Sequence, residues 1–159
     1  MTFETNWNFS EKYIPQVRDI LKENAMFIVN IEVASPEDDM KHSTDLKVKI
    51  TAGDVAVRIR RGKYNYRDIT IRAFKNGYKT EIHKLREGFG DWYLYAWENK
   101  EQTEIVDWAL IDINKARSLF TDDRQYKKTD ETSGFYTYTF DEFIECDALV
   151  NCSSYFWND

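Results

Sequence analysis

Three short segments of this chain alternate apolar and polar residues with a period of two, which restricts its middle to β-sheet. Leu46, Val48 and Ile50 alternate with Lys47 and Lys49; Val55, Val57 and Ile59 with Arg58 and Arg60; Ile69, Ile71 and Ala73 with Thr70 and Arg72. Successive side chains of a strand point to opposite faces, so each segment has an apolar and a charged face. The pattern predicts strands 45–50, 55–61 and 68–74, with Ala52-Gly53-Asp54 as a hairpin turn between the first two. Placed side by side in one antiparallel sheet, the apolar sets face the core. Asp45, Lys47, Lys49, Arg58, Arg60 and Arg72 then share the opposite face, with Arg61 at the strand end.

The flanking sequence supplies helices and further strands. Tyr13, Ile14, Val17, Ile20 and Leu21 recur at helical spacing behind a possible Ser10 cap, and Met26–Val33 is a strand-like apolar run. Residues 80–87 read as a short helix ended by Gly88 and Gly90. Segments 92–97 and 105–113 read as strands, the second running into a helix near 114–120. Residues 122–134 read as a polar loop, 135–140 as a strand, and 142–149 as a helix capped by Asp141. This order predicts an α+β fold with a mainly antiparallel central sheet flanked by helices. At 159 residues, with no repeat or linker, residues 1–159 read as a single domain.

Composition excludes several classes. The 10 Phe, 10 Tyr and 5 Trp are too many for a disordered chain. No run approaches the ~20 apolar residues of a membrane span, and the N-terminus lacks the basic and apolar regions of a secretory signal. Cys146 and Cys152, the two cysteines, form neither a disulfide framework nor a zinc motif. A cytoplasmic location without a membrane partner is the expectation.

The net charge of −6 is unevenly spread. Residues 1–40 carry a balance of −5 and residues 87–159 one of −10, whereas residues 41–86 hold 13 basic and 4 acidic side chains, a balance of +9. A basic block inside an acidic chain is a local field, suited to phosphate or nucleic acid or to acidic neighbours in the fold.

Thr44-Asp45-Leu46-Lys47-Val48-Lys49-Ile50, a short turn, and Val55-Ala56-Val57-Arg58-Ile59-Arg60-Arg61 together resemble the core of the restriction-endonuclease-like, PD-(D/E)XK superfamily. The later segments 91–97 and 108–113 are similar to strands that follow that core. The resemblance implies a metal-dependent nuclease core with Asp45 as the metal-binding acid and Arg60 in the place of the motif lysine. Arg58 stands where a second acid belongs, so the missing carboxylate would come from Glu32, Glu81 or Asp91. A second resemblance, to small phage and prophage proteins, rests on Thr44-Asp45-Leu46, Val57-Arg58-Ile59-Arg60, Thr70-Ile71-Arg72, Thr80-Glu81-Ile82 and Gly88-Phe89-Gly90-Asp91. It implies a viral, mobile-element origin and residence in the host cytoplasm.

The sequence thus leads to a nuclease-like phage protein, catalytically weak or inactive, that binds nucleic acid or a phosphate ligand on a basic sheet face. Asp45, Glu81 and Asp91 are the candidate catalytic acids. Arg58, Arg60, Arg61, Arg72, Lys47 and Lys49 are the candidate phosphate contacts. Two arginines repel a divalent ion and suit an anion. No metal ligand set and no cofactor are therefore expected, Mg²⁺ entering only if the protein is an active nuclease with a migrated carboxylate. The acids are expected in ion pairs with Arg58, Arg60 or Arg72. The rival reading is an inhibitor that binds a host antiviral-defence protein.

Overall fold

The computed structural model describes residues 11–24, 53–62, 68–121 and 123–153, and the backbone of 29–33 and 46–50. The chain divides into two compact units, Met1–Ala52 and Gly53–Asp159. In the first, helix α1 (Ile14–Glu23) has Pro15 in its opening turn, where an amide N–H would find no helical partner. It ends at Asn24, whose backbone N–H and side-chain amide both donate to the Ile20 carbonyl, at 3.1 and 2.7 Å. Strands β1 (Val29–Val33) and β2 (Leu46–Ile50) pair antiparallel, with Val29 opposite Ile50.

The second unit contains two sheets. Strands β3 (Val55–Arg60), β5 (Trp92–Glu98), β6 (Ile105–Asp112) and β9 (Leu149–Cys152) form the first, in the order β3-β5-β6-β9. Strands β4 (Asp68–Lys75), β8 (Ser133–Thr139) and β7 (Lys127–Asp130) form the second, in the order β4-β8-β7. Only β3 and β5 pair parallel; the other pairs of this unit are antiparallel. Helix α2 (Glu81–Arg86) lies in the β4–β5 connection, α3 (Ile113–Ala116) follows β6, and α4 (Phe140–Glu145) follows β8. The architecture is α+β. No helix among the described residues is long and apolar enough to cross a membrane.

One buried cluster draws on both sheets: Ile69 and Ile71 of β4, Tyr136 and Tyr138 of β8, and Tyr93, Tyr95 and Trp97 of β5. Ala109 and Ile111 of β6 join them, and Ile82, Leu85 and Phe143 seal the cluster from the helices. β5 is buried along almost its whole length, including Leu94 and Ala96 on its other face. That explains its unbroken apolar run, since a strand buried on both faces has no polar side to show.

The structure corrects the expected sheet. Strands 46–50, 55–60 and 68–75 belong to three different sheets: β2 pairs with β1, β3 with β5, and β4 with β8. Alternation fixes the two faces of a strand but carries no information about its neighbour. It also leaves open which face is inside. Arg58 stands opposite Tyr95 and Arg60 opposite Trp97 in the parallel register, so both arginines lie on the face of the buried aromatics, not away from it. Val57, expected in the core, is 41% exposed.

Two further strands escape the sequence pattern. The polar segment 122–134 contains β7, an exposed edge strand without apolar residues, turned into β8 by an Asp130 carboxylate that accepts the Thr132 N–H at 2.7 Å. The last helix is 140–145, not 142–149. Thr139, not Asp141, caps it: Thr139 and Glu142 each accept the other's backbone N–H, a capping box. Asp147 in the left-handed region (φ 55°) then releases the chain into β9.

Candidate functional site

Glu81 is the point where the sequence candidates converge. It opens α2 behind the N-cap Thr80, whose hydroxyl donates to the Arg72 and Ala73 carbonyls at 2.8 and 2.9 Å and so ties the helix start to β4. His83 completes this turn as its capping partner, with Nδ1 accepting the Thr80 N–H at 3.3 Å. From that fixed position the Glu81 carboxylate takes three donors. Arg58 Nη1 of β3 donates to Oε2 at 2.8 Å, the Arg72 N–H of β4 to the same oxygen at 3.4 Å, and the Tyr93 hydroxyl of β5 to Oε1 at 2.6 Å.

One carboxylate therefore joins the edge of the four-stranded sheet to the open edge of β4. A second tie runs beside it, where Tyr95 OH accepts the Thr70 N–H at 3.2 Å and lies 2.9 Å from the Thr70 hydroxyl. Burial alone would lower the Arg58 pKa, but the facing oxygens of Tyr93, Glu81 and Tyr95 hold it above its ordinary value. Tyr93 is pushed well above the usual phenol range, first by burial and then by the Glu81 charge.

The remaining candidates are dispersed. Arg60 pairs with Asp68 at 2.5 Å and also donates to the Asp68 carbonyl at 3.2 Å. Asp91 accepts the Asp54 N–H at 2.9 Å, and among the described residues no arginine pairs with it. Arg61 follows the end of β3, half-buried. Lys47 and Lys49 lie on β2, opposite Glu32 and Asn30. Asp45 lies outside the described residues. The expected pairing of acid with arginine is thus seen for Glu81 and Arg58, while Arg60 takes Asp68, an acid the sequence reading left out.

Glu81 and Asp91 are each already engaged by donors of the fold. Both Glu81 oxygens already accept hydrogen bonds, one of them from a guanidinium, and Asp91 is turned to a backbone amide. Among the described residues no three His, Cys, Asp or Glu side chains come together as a metal site would require.

Sequence reasoning missed a second arrangement, on the three-stranded sheet. Arg72 of β4, Phe135 of β8 and Lys127 of β7 are cross-strand partners in one row. Partners in a row point to the same face, here the one opposite Ile71 and Tyr136. Among the described residues neither the Arg72 nor the Lys127 side chain has an acidic partner. No signal could have revealed the row, because it depends on β7 being a strand. Compared with protein-family models, with curated proteins and with solved structures, the chain finds no match.

Proposed function

We propose that the protein binds nucleic acid, as a non-cleaving protein, through the outer face of its three-stranded sheet. The observation that carries this reading is the row Arg72–Phe135–Lys127, an aromatic residue between two cations without acidic partners on an antiparallel sheet. Single strands are held in this way: bases stack on aromatic rings, worth about 1–3 kcal/mol each, while flanking cations follow the phosphates. Arg72 belongs to the basic block of residues 41–86, with its balance of +9. Arg58 and Arg60, committed to Glu81 and Asp68, serve the fold and not the ligand.

Fluorescence anisotropy with labelled single-stranded DNA and RNA tests this. Affinity should fall steeply with added salt as counterions are released. Arg72→Ala and Lys127→Ala should each weaken binding and lower the salt slope by about 1. Phe135→Ala should weaken it with the slope unchanged. Absence of binding to any strand at low salt overturns the proposal in favour of an inhibitor of a host protein. Cleavage with Mg²⁺ or Mn²⁺ that disappears in Asp45→Ala overturns its non-cleaving part.

A further inference from the structure

We propose that the cavity between the start of β3 and helix α2 is a binding site for a nucleoside monophosphate. It is an open cleft of about 470 Å³, within the roughly 300–1,000 Å³ of small-ligand sites. Ala56 and Leu85 give it an apolar wall, and Asp54, Lys84 and Phe89 stand around it. It shares no residue with the Arg72–Phe135–Lys127 row and does not depend on strand binding there.

The way α2 ends is the main support. The Phe89 N–H donates to the Lys84 carbonyl at 3.0 Å and the Gly88 N–H to the Leu85 carbonyl at 3.3 Å, with Gly88 left-handed at φ 95°. This is a Schellman turn, which brings the residues at positions 84 and 89 together, ordinarily as an apolar contact. Here those residues are a lysine and a phenylalanine. Phe89 is left 63% exposed at the cavity mouth, held between two glycines with positive φ. Among the described residues the Lys84 ammonium has no acidic partner, whereas Lys79 is paired with Glu87.

Asp54, also part of the lining, is anchored by its main chain. Its carbonyl accepts the Asp91 and Trp92 N–H groups at 3.0 and 3.1 Å, and its N–H donates to Asp91. Among the described residues its carboxylate has no basic partner. The Glu81 charge is already matched by Arg58. A planar ring for Phe89, hydroxyl or amino donors for Asp54 and an anion for Lys84 describe a nucleotide.

Isothermal titration of the full chain with AMP, adenosine and inorganic phosphate tests the site. Saturable AMP binding is expected, weakened about tenfold by Lys84→Ala, the loss of one charge-assisted contact, and similarly by Phe89→Ala. Lys100→Ala, in an exposed turn, should leave it unchanged. A 5′-phosphorylated oligonucleotide that binds more tightly than its unphosphorylated twin, with the difference lost in Lys84→Ala, identifies the ligand as a strand end. Equal binding of the two identifies the free nucleotide. Arg72→Ala should reduce strand affinity but leave the AMP titration intact, so failure of either site is seen separately. No saturation by millimolar AMP, adenosine binding as tightly as AMP, or indifference to Phe89→Ala overturns the proposal.

Discussion

Strands β3 and β8 carry the same period-two signature and use it in opposite senses. In β8 the residues turned inward are Gly134, Tyr136 and Tyr138, all buried, and the outer set includes Phe135 and Thr137. In β3 the inward set is Ala56, Arg58 and Arg60, and apolar Val57 is turned out. The difference lies in position. β3 is the edge strand of its sheet, and there Glu81 of α2 and Asp68 of β4 each meet one guanidinium while its side chain keeps 30% and 16% of its surface in water. At an edge an arginine can keep part of its hydration and still find a partner, so the cost of turning it inward is small enough to be met.

The sharpest test of this contrast compares a wholly buried aromatic with an outer one. Trp97→Ala, in the doubly buried β5, should cost about 3–5 kcal/mol in urea unfolding. Phe135→Ala should cost about 1 kcal/mol or less, because a half-buried ring leaves little cavity. Equal losses would mean that the outer face of the three-stranded sheet is covered as thoroughly as the core.

Next in size is the inward ion pair. Glu81→Gln leaves the half-buried Arg58 without its counter-charge and should cost about 2–3 kcal/mol, somewhat under the range for a fully buried pair. Combined with Arg58→Met it should cost less than the sum of the two single changes, a coupling that a double-mutant cycle measures. Additive losses would make Arg58 an ordinary surface arginine.

A smaller effect should appear at high pH. Burial pushes the Tyr138 pKa up to about 12, against the opposing charges of Arg124 and Arg86, whereas an unfolded tyrosine titrates near ~10. Between those values the unfolded chain binds fewer protons, so stability is unaffected below pH ~10 and falls by about 2 kcal/mol as pH rises through the native pKa. Tyr138→Phe should flatten that fall. At neutral pH it should cost little, because the Tyr138 hydroxyl is buried without a hydrogen-bond partner among the described residues. The smallest effect belongs to Lys115, whose pair with Asp147 is exposed. Lys115→Ala should change the urea midpoint by an amount worth at most about 0.5 kcal/mol.

The sequence reading located the strong elements and missed those defined by pairing. Trp92–Trp97 and Ile105–Ile113 were legible because their β-branched and aromatic runs form strands in any context. Helix α2 was legible from Gly88 and Gly90 after it, although the reading began it at Thr80, which is its N-cap. β7 was not, since Lys127-Lys128-Thr129-Asp130 becomes a strand only by pairing with β8. Within the site, Glu81 and Arg58 were both named from sequence and do meet. Tyr93 could not be, because its hydroxyl reaches Glu81 only through the packing of α2 against the sheets. The parallel pairing of β3 and β5 was equally hidden, since Trp92 stands 37 positions after its partner Val55.

The two ties at the open side of β4 have a consequence for crowded solutions. β4 and β7 are the outermost strands of their sheet, and unpaired amides there would recruit a strand from another molecule. On β4 the Thr70 and Arg72 amides are stoppered by Tyr95 and Glu81, side chains that no incoming chain can extend. On β7 the lysines Lys127 and Lys128 meet any approaching copy with like charge. Glu81 thus closes one amide of this edge to strand pairing as well as holding Arg58. A Glu81→Ala variant that still folds carries an unstoppered Arg72 amide, and its defect grows with protein concentration.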